Sequence, residues 1–201
     1  MPSITVCGKI VSGVLLDCNN PIISGLGNRI WVFNRDDITF TFDATNPQLV
    51  TAIILAVGIY GYVFETINND VSALYKMGQT SAGPRYEHEI DFKILANNQT
   101  IRQQIQSLAY GRFVIIVENL FRSGGATDST FEIFGGQYGL MASSIERKSD
   151  DESTSGAHVV KFVNPLKVKQ STIPWVFLTT DVPTTRAAIY AQIQAPVGTK
   201  T

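Results

Sequence analysis

The chain has 201 residues, with 16 Lys and Arg against 17 Asp and Glu, so its formal charge is −1 and no global basic field attracts nucleic acid or an anionic membrane. Only 16% of residues are charged while 44% are hydrophobic, a low charge fraction for a freely soluble monomer, which points to surface buried in an assembly. A chain of this length buries about 70% of the surface its unfolded form exposes, so one core suffices.

Met1 to Leu16 alternates loosely between polar and apolar residues. Gly8 and Lys9 interrupt the apolar stretch and no basic segment precedes it, so a secretory signal is not expected. Cys7 and Cys18 are too few for a disulfide framework and wrongly spaced for a zinc knuckle; two reduced, half-buried thiols are expected. The turn-rich DCNNPIISGLGN follows, and residues 1–26 read as an N-terminal arm.

Arg29 to Phe33 and Ile38 to Phe42 read as strands joined across Asn34-Arg35-Asp36-Asp37, the second with Ile38, Phe40 and Phe42 alternating against Thr39 and Thr41. The longest apolar run, Leu49 to Phe64, is shorter than the about 20 residues of a membrane-crossing helix. Gly58 and Gly61 divide it, which favours strands at Leu49 to Leu55 and Ile59 to Ile67, turned at Val57-Gly58. A helix over Leu49 to Leu55 fits the same seven residues, and periodicity does not separate the two.

Tyr86 to Lys93 has the cleanest alternation. Tyr86, His88, Ile90 and Phe92 fall on one face, while Arg85, Glu87, Glu89, Asp91 and Lys93 fall on the other. Three carboxylates in a row repel one another unless water or a basic partner lies against them. Two readings stand side by side: the solvated face of an edge strand, kept charged against sticky pairing, or, in a ring, a negative lining past which a polyanion moves without binding.

From Thr100 to Leu140, helix, strand and turn signals follow one another without a gap. Ile101, Ile105 and Leu108 recur at helical spacing, and Thr100 with Gln103 forms a capping box; Gly111 stops the helix. Phe113 to Val117 is an unbroken apolar run, the mark of a strand buried on both faces, and after a Gly-rich turn Thr130 to Phe134 returns as a strand. Glu146 to Ala157 reads as a polar loop, with Glu146, Lys148, Asp150, Asp151 and Glu152 as candidates for contact between subunits. His158 to Val163 and Trp175 to Leu178 are further strands, and a short helix capped by Thr184 follows Pro183. The tally is mainly β, an antiparallel barrel or sandwich with one flanking α-helix.

Catalytic and ligand motifs are missing from this pattern. His88-Glu89 suggests a zinc hydrolase, but the second histidine of that motif would stand at Phe92, and His158 is the only other imidazole. There is no G-x-S-x-G elbow, and Gly25-Leu26-Gly27 and Gly124-Gly125 lack the context of a dinucleotide or phosphate loop. Asn98-Gln99-Thr100 matches a glycosylation sequon and is more simply a helix cap. No catalytic residue, cofactor or metal is expected.

Together, GNRIWVFNRDDITFTFD, NPQLVTAIILAVGIYGYVFE, YEHEIDFKIL, GRFVIIVENL, TFEIFGGQYGL and HVVKFVNP resemble the tail-tube-like virion proteins of phages infecting Bacteroidetes, the crAss-like group among them. Asn34 to Asp37 and Gly111 to Asn119 are the most diagnostic. The resemblance spans about Gly27 to Asp181 and implies a tail-tube-like β domain at 27–181 with a C-terminal extension at 182–201. It implies a non-enzymatic virion protein that forms a homo-oligomeric tail tube or tail ring, part of the DNA conduit, with Glu87, Glu89 and Asp91 as lumen-lining candidates. Its partners would be neighbouring tail or connector proteins and DNA in transient passage without specific binding, with no membrane. It would be assembled in the host bacterial cytoplasm and reside in the virion tail. A head decoration, head–tail connector or baseplate component on the same sandwich is the alternative.

Overall fold

The computed structural model describes residues 23–67, 70–81, 83–121, 128–152 and 154–194. In chain order the elements are β1 (Leu26–Asn34), β2 (Ile38–Phe42), β3 (Leu49–Leu55), β4 (Tyr62–Glu65), β5 (Val71–Thr80), β6 (Gly83–Ile94), α1 (Gln99–Leu108), β7 (Phe113–Asn119), β8 (Phe131–Phe134), β9 (Met141–Arg147), β10 (His158–Val163), β11 (Trp175–Phe177) and α2 (Val182–Ala191). They form a sandwich of a seven-stranded sheet, β2-β3-β11-β8-β7-β1-β4, and a four-stranded sheet, β5-β6-β10-β9. Cys7, Cys18 and most of the expected arm lie outside the described residues.

The large sheet is strongly coiled, and chain connectivity requires it. β1 and β2 stand five strand spacings apart in the sheet, about 24 Å if it were flat. Only the 3-10 turn Arg35–Asp37 joins them, and that connection reaches about 14 Å at full extension. The edges therefore curl toward each other without pairing. The result is a sandwich in which one sheet wraps its own face, and no closed barrel forms. All its described pairings are antiparallel except β11 with β3, which is parallel (Val176 opposite Leu49), a correction to the all-antiparallel expectation.

Two cores lie on the two faces of this sheet. On one, Ile30, Val32, Ile115, Val117 and Phe134 pack against Ile90, Phe92, Val160 and Phe162 of the small sheet, and Ile105 and Leu108 of α1 close the side. On the other, Trp31, Phe33, Val114, Ile116, Phe131, Ile133 and Phe177 are enclosed by the coil and by Ile189 of α2. β7 thus contributes alternate residues to both cores, which is why Phe113 to Val117 has no polar position. Because Ile189 is fully buried, α2 belongs to the domain rather than to an extension beyond it.

Both helix caps differ from expectation. Asn98, not Thr100, caps α1, its Oδ1 accepting from the Ile101 amide at 2.9 Å. Asp181, not Thr184, caps α2, accepting from the Thr184 amide at 2.8 Å. In each case a side chain one turn ahead reaches the orphan amides with the extended backbone a cap requires. Gly111 has a packing role: a Cβ there would stand 2.2 Å from the Phe113 ring.

Two strands were not anticipated. β5 buries only its first alternations, Val71 and Ala73, before leaving the sandwich. β9 carries a bulge opposite Lys161 and Phe162, so its inward residues, Ala142 and Ile145, fall three apart and period two disappears. The turn at Gly58 exists, with φ +82, yet β3 and β4 do not pair across it: β3 joins β2 and β11, while β4 joins β1.

Candidate functional site: the open face and edges of the small sheet

β6 is one of the two central strands of the small sheet. Its inward residues, His88, Ile90, Phe92 and Ile94, are buried, and its outward ones are the charged series from Arg85 to Lys93. Register with β5 sets Lys76 opposite Glu87, and register with β10 sets Lys161 opposite Asp91. The carboxylate row is therefore matched. Lys161 donates to Glu89 and lies 3.9 Å from Asp91, Lys169 meets Glu87 at 2.5 Å, and Lys93 meets Asp70 at 3.2 Å.

These contacts leave their mark on titration. The hydrogen bond to Glu89 raises the Lys161 ammonium above its usual range. Partial burial raises the Asp91 carboxyl, with Lys161 pulling the other way. Sequence showed the row because alternation is local. It hid the lysines because Lys161 and Lys169 arrive from another strand and the segment after it. A surface bearing Lys76, Lys93, Lys161 and Lys169 among Asp70, Glu87, Glu89 and Asp91 is mixed in charge rather than acidic.

The loop candidates do not join that row. Glu146 is the exposed penultimate residue of β9, opposite Val159, so the loop starts later than expected. Lys148, Asp150 and Glu152 are exposed in the turn beyond, and Asp151 is half-buried, its carbonyl accepting from the Gly156 amide at 3.2 Å. The loop lies at one end of the sheet, and the carboxylates run along its face.

His88 belongs to the interior. Its Nε2 lies 3.1 Å from the Thr172 carbonyl, which can only accept, and its Nδ1 takes the Gly135 amide at 3.2 Å, which can only donate. These partners select the neutral ring protonated at Nε2, and burial pushes its pKa down to about 4. The histidine thereby ties the small sheet to the end of β8 and to the strap between β10 and β11. That strap is further held by Asn164, which accepts from the His88 amide at 2.7 Å, and by Gln170, whose backbone exchanges bonds of 2.8 and 2.9 Å with Tyr86. Asn164-Pro165 and Ile173-Pro174 frame the strap and are the sequence signals that could have marked it.

Among the described residues, no three His, Cys, Asp or Glu side chains gather as a metal site, and no helix is long and apolar enough to cross a membrane. A hollow of about 510 Å³ lies over the start of α1, lined by Asn97, Asn98 and Arg102 among others. Those groups are engaged locally, Asn98 as the cap and Asn97 with Arg102 at 2.9 Å.

What remains open is the sheet itself. β5, ten residues long, and β9, seven, are its two edges, and they run in opposite directions because three antiparallel pairings lead from one to the other. No protein-family model matches the chain, and neither a curated protein nor a solved structure matches it.

Proposed function

We propose that this chain is a non-enzymatic building block of a phage tail tube or tail ring, associating through the edges of its four-stranded sheet. The observation that carries the reading is the opposite direction of β5 and β9. When β9 of one copy lies beside β5 of the next, the antiparallel alternation continues across the junction, and the contact is head-to-tail. Such a contact closes into a ring when the rotation per copy permits it. The family resemblance and the low charge fraction support the same reading.

In that assembly one face of the continuous sheet would carry Glu87, Glu89 and Asp91 with their lysines. A lining of paired, mixed charge presents a polyanion with neither strong attraction nor a strong barrier, because opposite charges in close pairs cancel beyond about one Debye length. Lysine at all three acidic positions shifts the face by two charges per residue, six in all. Particles carrying that variant should assemble and release DNA more slowly; unchanged ejection would remove the lining role.

The edge reading is tested by Tyr75→Lys with Met77→Lys, both exposed on β5 (47% and 58%). Sedimentation velocity and negative-stain images should show wild-type rings and a folded, monomeric variant. A wild-type chain that stays monomeric at every concentration would sink the proposal. The position of the protein in its parent particle separates tail tube and ring from a decoration, connector or baseplate role.

A further inference from the structure

The two ends of the four-stranded sheet are chemically unlike. Where β10 finishes, the strap doubles back over the outer face of the β5–β6 hairpin, and the Val168 amide bonds the Pro165 carbonyl at 3.0 Å to close a tight turn. Lys167 occupies its third position with φ +66, the left-handed region where glycine is least strained. Leu166, at the second position, is 93% exposed. Leu74 and Val168 are exposed beside it; Lys76 stands opposite Glu87, which pairs with Lys169 instead, and Lys167 has no acidic partner among the described residues. An exposed leucine next to an unpaired lysine on strained backbone is a costly arrangement for a turn that only connects strands.

At the other end, where β9 passes into β10, Asp150 and Glu152 are exposed and unpartnered among the described residues, although Lys148 stands near them in the chain. Val159, beside Glu146 in the register, helps line a hollow of about 260 Å³ with Asp70, Val71, Ser72, Asp91 and Lys93. The Oδ1 atom of Asp91 is buried there without a hydrogen-bond partner.

We propose that the Pro165–Lys169 turn docks on the acidic end of the small sheet in a second copy, Leu166 seated in the hollow beside Val159 and Lys76 and Lys167 facing Asp91, Asp150 and Glu152. The contact rests on the assembly reading above and supplies what edge pairing lacks, a junction along the strand direction. Complementary charge at opposite ends of one sheet selects a copy of the same chain in the same orientation, so rings stack in register. Like ends repel, which forbids the inverted stack.

The test uses the full chain, with stack length read by sedimentation velocity and negative-stain images at low and high salt. Lys167→Glu, and separately Asp150→Lys with Glu152→Lys, should each weaken stacking about tenfold or more while leaving single rings intact. Combining the two reversals should restore it, and high salt should shorten wild-type stacks. Lys167→Gly relieves the backbone, so its unfolding midpoint should hold or rise while stacking falls, which a purely structural turn would not do. Rings that stack equally well with either reversal overturn this contact and leave the assembly reading standing, whereas a wild-type chain that never associates overturns both. Reversals that are not rescued by the swap also overturn it. If the wild type then binds phosphatidylserine-containing vesicles, the lysine patch passes to an anionic surface.

Discussion

β7 and β6 hold the same position in their sheets, each flanked by two partners, yet Phe113 to Val117 of β7 are buried on both faces while β6 alternates between a dry face and a charged one. The difference is one of cover. The large sheet has the small sheet and α1 on one side and its own coil with α2 on the other, so its central strands have no surface left to offer and exposure is confined to outer strands, at Thr39, Thr41, Ile54 and Tyr62. Among the described residues the small sheet has no second layer over its outer face, only the strap across one end of the β5–β6 hairpin, and no strand pairs along the free edge of β5 or of β9. Stability resides in the first and the capacity for contact in the second, which is a division that substitutions can break.

The largest expected effect lies in the enclosed core. Phe131 is fully buried, edge-on to Trp31 and beneath Arg186, so Phe131→Ala should cost about 3–5 kcal/mol in denaturant unfolding. A loss near zero would mean that the coil does not enclose that face.

Next in size is a pH dependence at the seam between the sheets. An unfolded histidine takes up its proton near pH 6.5 and folded His88 only near 4, so unfolding binds a proton between those values. The stability contributed by neutral His88 is complete above pH 6.5 and falls by about 3 kcal/mol as the pH drops through 4. The ring assignment adds a reason: protonated Nδ1 would face the Gly135 amide donor to donor. His88→Gln should flatten the unfolding profile in this window; an unchanged slope would place the titration elsewhere.

The smallest effect belongs to the open face. Glu87 and Lys169 are 52% and 38% exposed in their side chains, so Glu87→Gln should change stability by less than about 1 kcal/mol and less still in high salt. A larger loss would mean that the outer face carries stability, and the contrast between the sheets would fail.

Much of the fold was legible locally. β2 and β3 occur at the expected residues, β6 and β7 announced their different burial through alternation and its absence, and α1 showed its apolar face through Ile101, Ile105 and Leu108. β9 was hidden by a bulge, and the caps were misplaced by two or three residues because Asn98 and Asp181 compete with nearby hydroxyls for the same amides. Of the candidate site, the carboxylate row was visible and its neutralisation was not.

The amino-acid sequence by itself determined which segments extend, which coil, and which residues of each share a face, since those follow from spacing along the backbone. Only the tertiary structure decided that β3 and β4, neighbours in the chain, part to different strands of one sheet; that Lys161 and Lys169 meet Glu89 and Glu87; and that β5 and β9 are left as edges. The physical reason is that strand pairing joins residues far apart in the chain, and spacing along the backbone carries no record of which partner a strand edge will find.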